Sequence, residues 1–255
     1  MGMTRASVLI LSSHVAASPV GGGAQAQVLA RMGVETIHVP TVLYGRHPGL
    51  GAPGGGAVSA EKFESLVEGV VASGALARVD AVITGYFAGP RQIQAAARLI
   101  DAMPRAWIVV DPIMGDAETG LYVSEAVAAA IARDLVPRAK LVAPNAWELG
   151  RLTGRSVTDA PSALAAARSL GKPVLVSSVD VLGQIAVLYA DARKAWLASH
   201  PRQPTAPKGT GDLLTAHFVG SVLGGSAPRE ALNAAVGDVA AKVGERPIDV
   251  HVTPL

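Results

Sequence analysis

The strongest constraint in this chain is an alternation. Short β-rich apolar runs, SVLILS (7–12), VETIHV (34–39), DAVITG (80–85), AWIVVD (106–111) and KLVAP (140–144), alternate with longer stretches of helical pattern. Those stretches are AQAQVLARMG (24–33), AEKFESLVEGVVASG (60–74), PRQIQAAARLIDAM (90–103) and SEAVAAAIARDLV (124–136). A strand that is apolar along its whole length must be covered on both faces, and crossover helices between successive strands supply that cover. The pattern predicts an α/β fold, a three-layer sandwich around a mainly parallel central sheet. After KPVLVSS (172–178), the run QIAVLYADARKAWLAS (184–199) reads as two strands joined by a turn at 191–193, so an antiparallel edge is expected. Helices near 212–223 and 228–243 close the chain.

Composition narrows the function. At 255 residues, 50% hydrophobic and 16% charged, the chain has material for one sizeable core and is expected to form a single domain over 1–255. A formal charge of +2 with no run of like charges, and 4% aromatics, argue against nucleic acid and anionic membranes as partners. The absence of cysteine excludes disulfides, thiolate metal sites and cysteine nucleophiles. The first apolar run is too short for a signal segment, and none is long enough to span a bilayer, so a cytoplasmic location is expected. Three loops, 17–23, 44–56 and 199–208, are longer or richer in Gly and Pro than ordinary connections, as binding loops often are.

Ligands of open α/β sheets bind outside the carboxyl ends of the strands. Here those ends carry Ser12, Ser13 and His14; Tyr86; Asp111 and Asp116 in DPIMGD; Asn145 and Glu148 in PNAWE; and Gly209, Thr210, Gly211 and Asp212 in GTGD. Each also has a structural reading. Asp111–Pro112 is a turn starter, Asn145 with Glu148 three residues on is a capping box, Tyr86 is a half-buried ring, and Asp212 is a helix N-cap. Taken together they supply what phosphoryl transfer needs. Gly209, Thr210 and Gly211 offer backbone N–H groups for an anion, Asp111 and Glu148 offer carboxylates for hydrated Mg²⁺, and Asp212 offers a base. There is no GxxxxGK[ST] loop.

The succession SSHVA (12–16), GYFAG (85–89), DPIMGD (111–116), APNAWEL (143–149) and GTGDLLTA (209–216) resembles the ribokinase-like small-molecule kinases, and among them the pyridoxal kinases. The resemblance covers nearly the whole chain. It implies ATP-dependent phosphorylation of the 5′-hydroxymethyl group of pyridoxal, with Mg²⁺, room for a monovalent cation, and a homodimer. By position, Ser13 would bond the pyridine ring, Tyr86 and His47 would lie on the substrate side, and Asp212 would accept the hydroxyl proton. Asp111, Ala143, Asn145, Glu148, Ser177 and Lys208 would lie on the nucleotide and metal side, under a cover formed by loop 199–208. Two departures stand out: Gly22 where the family has asparagine, and Pro48–Gly49 where it has a polar pair. The hydroxymethylpyrimidine kinases resemble the chain almost as closely, and a non-catalytic vitamer- or nucleotide-binding protein is the alternative outside enzymes.

Overall fold

The structure is a computed structural model and describes residues 5–202, 207–244 and 250–255. Part of loop 199–208, expected to cover the nucleotide, therefore lies outside the described residues.

The first half of the chain alternates as the pattern predicts: β1 (Ser7–Val15), α1 (Gly21–Arg31), β2 (Glu35–Tyr44), β3 (Gly55–Ala57), α2 (Ala60–Ala72), β4 (Ala81–Thr84), α3 (Pro90–Asp101) and β5 (Trp107–Val110). A two-stranded ribbon, β6 (Gly115–Asp116) and β7 (Gly120–Leu121), follows, then α4 (Glu125–Ala130), β8 (Leu141–Val142), α5 (Ala146–Thr153) and α6 (Ala160–Ser169). The rest is β9 (Val174–Val181), β10 (Gln184–Ala190), β11 (Ala195–Pro201), α7 (Thr210–Leu223), α8 (Pro228–Gly244) and β12 (His251–Pro254).

Ten strands form one sheet in the order β12-β11-β10-β9-β8-β5-β4-β1-β2-β3. Its centre, β9 to β2, is parallel, and β10, β11 and β12 on one side and β3 on the other are antiparallel. The expected antiparallel edge is thus present at both ends of the sheet. Val8, Leu9, Ile10 and Leu11 of β1 are fully buried, because alternate residues feed two different cores. Val8 and Ile10 pack with α1, α7 and α8, whereas Leu9 and Leu11 pack with α2, α3 and α4. A third cluster joins α5 and α6 to β9, β10 and β11. The result is three layers, helix on sheet on helix.

Several elements differ from the pattern reading. The helix expected over 124–136 is α-helical only to Ala130, then widens into a π turn at Ile131–Leu135 and tightens into a 3₁₀ turn at Val136–Arg138. Pro137 is the physical reason for an end here, since it brings no N–H to the helical ladder. Helix α6, absent from the pattern reading, is specified by a reciprocal cap: Asp159 accepts from Ser162 N–H at 2.8 Å, and Ser162 Oγ accepts from Asp159 N–H at 3.0 Å. The turn at 191–193 is as expected, with Asp191 Oδ1 accepting from the N–H groups of Arg193 and Lys194 at 2.8 Å.

Two details position the rim. The β1–β2 register shifts between Ser12 and His14, where Thr41 and Val42 of β2 oppose the single residue Ser13, so the extra residue is on β2. Ser12 Oγ then accepts from Tyr86 N–H at 3.2 Å, which ties the end of β1 to the loop after β4.

Candidate active site

Asp212 is not the N-cap of α7. Gly209 is, in a left-handed conformation at φ +91°, and a Cβ there would lie 2.7 Å from the Pro19 carbonyl oxygen. That places Thr210, Gly211 and Asp212 in the first turn, where backbone N–H groups have no intrahelical acceptor, and Gly209 contributes no side-chain cap. The Asp212 carboxylate does not fold back onto them. Its Oδ2 accepts from Gly21 N–H, at the start of α1, at 2.8 Å, while Oδ1 is buried without a partner among the described residues. Burial raises the Asp212 pKa to about 6, against the Gly21 bond.

One helical turn on, Thr215 is buried and donates to Asp111 Oδ2 at 2.9 Å. This hydroxyl was missed in the sequence. The signal that finds it is its i+3 spacing from Asp212, which puts both residues on one face of α7. Asp111, at the end of β5, is pushed well above the usual carboxylate range by burial and then by the nearby charges of Asp212 and Glu148, with Thr215 opposing.

Asn145 and Glu148 form the capping box that their spacing predicts. Asn145 Oδ1 accepts from Glu148 N–H, and Glu148 Oε2 accepts from Asn145 N–H, both at 2.9 Å. Glu148 does more than cap, because its Oε1 also accepts from Met114 N–H at 2.8 Å and Gly115 N–H at 3.3 Å. One buried carboxylate therefore joins the loop after β5 to the start of α5. Burial lifts its pKa to about 7, opposed by those backbone donors. Gly115 must be glycine here, since a Cβ would collide with the Gly120 carbonyl and lie 2.7 Å from the Trp147 ring.

These groups open on a cavity of about 750 Å³ lined by Asp111, Asp116, Ala143, Asn145, Glu148, Ser177, Lys208 and the 209–212 turn. Lys208 Nζ reaches Asp116 Oδ2 at 3.4 Å. The opposite wall is apolar, built from Ile185 and Val187 of β10 and from Val236, Val239 and Ala240 of α8, with His200 and Arg202 at its margin. This wall was also not read from the sequence, because it requires two elements remote in the chain to converge. Tyr122, after β7, is a further lining residue that the motifs did not single out.

Every residue expected on the nucleotide and metal side lines this cavity. The substrate-side residues do not. Ser13 is buried beside Gly21, so it lies next to the residue that bonds Asp212. Tyr86 is half-buried, with burial and then Tyr44 raising its phenol, and its carbonyl accepts from Thr41 Oγ1 at 2.6 Å. His47 caps the 3₁₀ turn Pro48–Leu50, its Nδ1 accepting from Gly49 N–H at 3.0 Å. Burial and the charge of Lys208 lower its pKa.

The carboxylates were tested as a metal site by their chemistry. Among the described residues no group of three or more His, Asp or Glu side chains converges on one point, so the donors suit an ion that keeps most of its water. Asp111 and Glu148 are buried acids, Asp111 under the charge of Glu148 and Glu148 under that of Asp116, a set that a hydrated divalent cation fits.

Among the described residues, first-turn N–H groups without a side-chain cap, a buried carboxylate oxygen without a partner and a half-polar cavity are the kinds of group that phosphoryl transfer uses. The family described as phosphomethylpyrimidine kinase matches residues 21–248. The pyridoxine/pyridoxal/pyridoxamine kinase of Bordetella avium (strain 197N) is 36% identical over 239 residues, covering 89% of this chain and 81% of that protein. Pyridoxal kinase PdxY of Leifsonia xyli subsp. xyli is 36% identical over 228 residues, 83% of this chain and 81% of the relative. In fold, the crystal structure of pyridoxal kinase from Entamoeba histolytica matches with a TM-score of 0.91 at 22% identity, over 99% of this chain and 100% of that one. The pyridoxal kinase of Staphylococcus aureus in complex with AMP-PCP and pyridoxal matches with a TM-score of 0.83 at 20% identity, over the same shares. The chain belongs to the pyridoxal kinase family of the ribokinase-like superfamily.

Proposed function

We propose that this chain, acting as a single kinase domain, transfers the γ-phosphoryl group of ATP to the 5′-hydroxymethyl group of pyridoxal. The observation that carries the reading is the free, buried Oδ1 of Asp212 beside the unpaired N–H groups of the first turn of α7. Curated relatives that are named pyridoxal kinases support the choice of acceptor.

In this mechanism the acceptor oxygen attacks the γ-phosphorus, the new O–P bond forms as the bond to the β–γ bridging oxygen breaks, and ADP leaves. The hydroxyl proton passes to Asp212 Oδ1, the oxygen without a partner among the described residues. The N–H groups of the 209–212 turn hold the transferring phosphoryl group, and the dipole of α7 favours its negative charge. Asp111 and Glu148 would hold hydrated Mg²⁺, and Asn145 keeps Glu148 in place through the capping box. When bound, Mg²⁺ supplies positive charge to the phosphates. Lys208, paired with Asp116 at the cavity, adds to that charge. The apolar wall of β10 and α8 takes the adenine, beside Ala143 and Ser177, and Ser13, Tyr86 and His47 hold the pyridine ring on the far side of Asp212. We place the enzyme in the cytoplasm, as a homodimer.

The test is ATP consumption coupled to mass spectrometry of the product, with Mg²⁺ and pyridoxal, pyridoxine, pyridoxamine or hydroxymethylpyrimidine in parallel. Pyridoxal 5′-phosphate as the preferred product is expected. The description of the matching family favours hydroxymethylpyrimidine as the second reading, and turnover with that acceptor alone would establish it instead. No turnover with any acceptor would point to a non-catalytic binder.

A further inference from the structure

The run Gly21–Gly22–Gly23 opens α1, and each glycine faces a different side chain. A Cβ on Gly21 would collide with Ser13 Oγ and lie 2.8 Å from the Ser13 carbonyl oxygen. A Cβ on Gly22 would collide with His38 Nε2, with the ring carbons at 2.9 and 3.0 Å, and one on Gly23 would stop 3.4 Å from His14 Nδ1. Gly21 also sits at φ +66°, a conformation that glycine adopts without cost. The glycines are therefore spaces into which side chains from β1 and β2 have moved.

His38 is the insertion that comes from the neighbouring strand β2. It rises from the middle of β2, its Nε2 lies 3.3 Å from the Ser12 carbonyl oxygen, and its ring centroid is 5.8 Å from that of His14. Burial lowers its pKa, and because a carbonyl oxygen only accepts, Nε2 carries the proton in this contact. The residue before Gly22 is Gly21, whose N–H gives Asp212 the hydrogen bond at 2.8 Å. The N-cap of α1, Val20, supplies no side-chain bond, and Gly21 is tied to β1 through a backbone bridge with His14.

We propose that His38 is a positioning residue for Asp212: its imidazole fills the side-chain space left open at Gly22 and holds the first turn of α1 where the Gly21 N–H meets the carboxylate. His38 acts through packing and touches no reacting atom. The inference rests on Asp212 being the base. The titratable groups facing Asp212 are Asp111 after β5 and Tyr122 after β7. Arg31 of α1 and Asp238 and Lys242 of α8 surround His217, more than a turn further along α7.

The wedge is tested with Gly22→Ala, His38→Ala, the two combined, and His38→Gln, comparing kcat against pH, both KM values and thermal melting. Gly22→Ala drives a methyl group against the ring and is expected to lower kcat roughly ten- to a hundredfold, the scale of a displacement of about 1 Å. The acidic limb of its profile moves to higher pH, because Asp212 loses a donor that favours its charged form. The double variant recovers most of the turnover, since the methyl group then has room, and His38→Gln keeps more turnover than His38→Ala. If Gly22→Ala does not fold, the acidic limb of His38→Ala decides in its place. An unmoved acidic limb, a loss confined to KM, or a double variant no better than Gly22→Ala would overturn the proposal. Full turnover by Asp212→Asn would instead remove the base assignment, and recovery of melting temperature in the double variant would still report the packing between Gly22 and His38.

Discussion

Asp212 shows how little a residue's type settles about its role. At a helix start, aspartate is expected to accept from the N–H groups of its own first turn. Here a left-handed glycine takes the cap position, the carboxylate is three residues into the helix, and it accepts from a different helix. In the proposed mechanism the own-turn N–H groups meet an anion, and the carboxylate oxygen that has no partner among the described residues takes the proton. Replacing Asp212 by Asn keeps the shape and removes the base, so kcat is expected to fall by about 10²–10⁴ while nucleotide and vitamer binding persist. Stopped-flow chemistry with equilibrium binding separates the two. A base lifted to about 6 by burial also predicts that kcat/KM of the wild type rises with pH through that value, and that Asp212→Asn flattens this limb.

Among the elements, helix starts divide into those that are closed and those that are open. α5 and α6 carry reciprocal caps, and α2 and α4 carry a serine accepting from the third helical N–H. α1, α3 and α7 carry no side-chain cap, and of these α1 and α7 meet at Asp212. Asp159→Ala, at the closed start of α6, is expected to cost about 1 kcal/mol of stability in denaturant unfolding and to leave kcat unchanged. A loss of kcat in that variant would mean that α6 reaches the site through the sheet.

At the scale of the molecule, the site concentrates buried negative charge. Asp111, Glu148 and Asp212 are each less than a tenth exposed, and all three have pKa values raised above their unfolded values near 4. Groups shifted in this direction contribute stability that is present in full below the unfolded pKa and is lost as pH rises through the folded one, here about 6 for Asp212 and about 7 for Glu148. The free protein therefore loses this contribution between about pH 4 and 8. In the proposed mechanism Mg²⁺ binds the deprotonated carboxylates, so its addition should raise the melting temperature more at pH 8 than at pH 5.5. Equal shifts at both values, or none, would count against Asp111 and Glu148 as the metal side.

What the sequence determined by itself is the plan. Strands apolar throughout, separated by helices, leave a parallel sheet covered on both faces as the economical way to bury them, and the carboxyl ends of those strands then bring the polar motifs to one rim. Asn145 with Glu148, Asp111 and the 209–212 turn were legible because each is a local pattern whose chemistry depends on neighbours a few residues away. Tertiary structure decided what those patterns are for. It joined Glu148 to Met114 and Gly115, Thr215 to Asp111 and Gly21 to Asp212, contacts between elements 33 to 191 residues apart that no local period encodes. It also showed why Gly22 is glycine: a histidine on a neighbouring strand occupies the space. A hydrogen bond or a filled volume belongs to a pair of residues, and only packing brings the second member of each pair to the first.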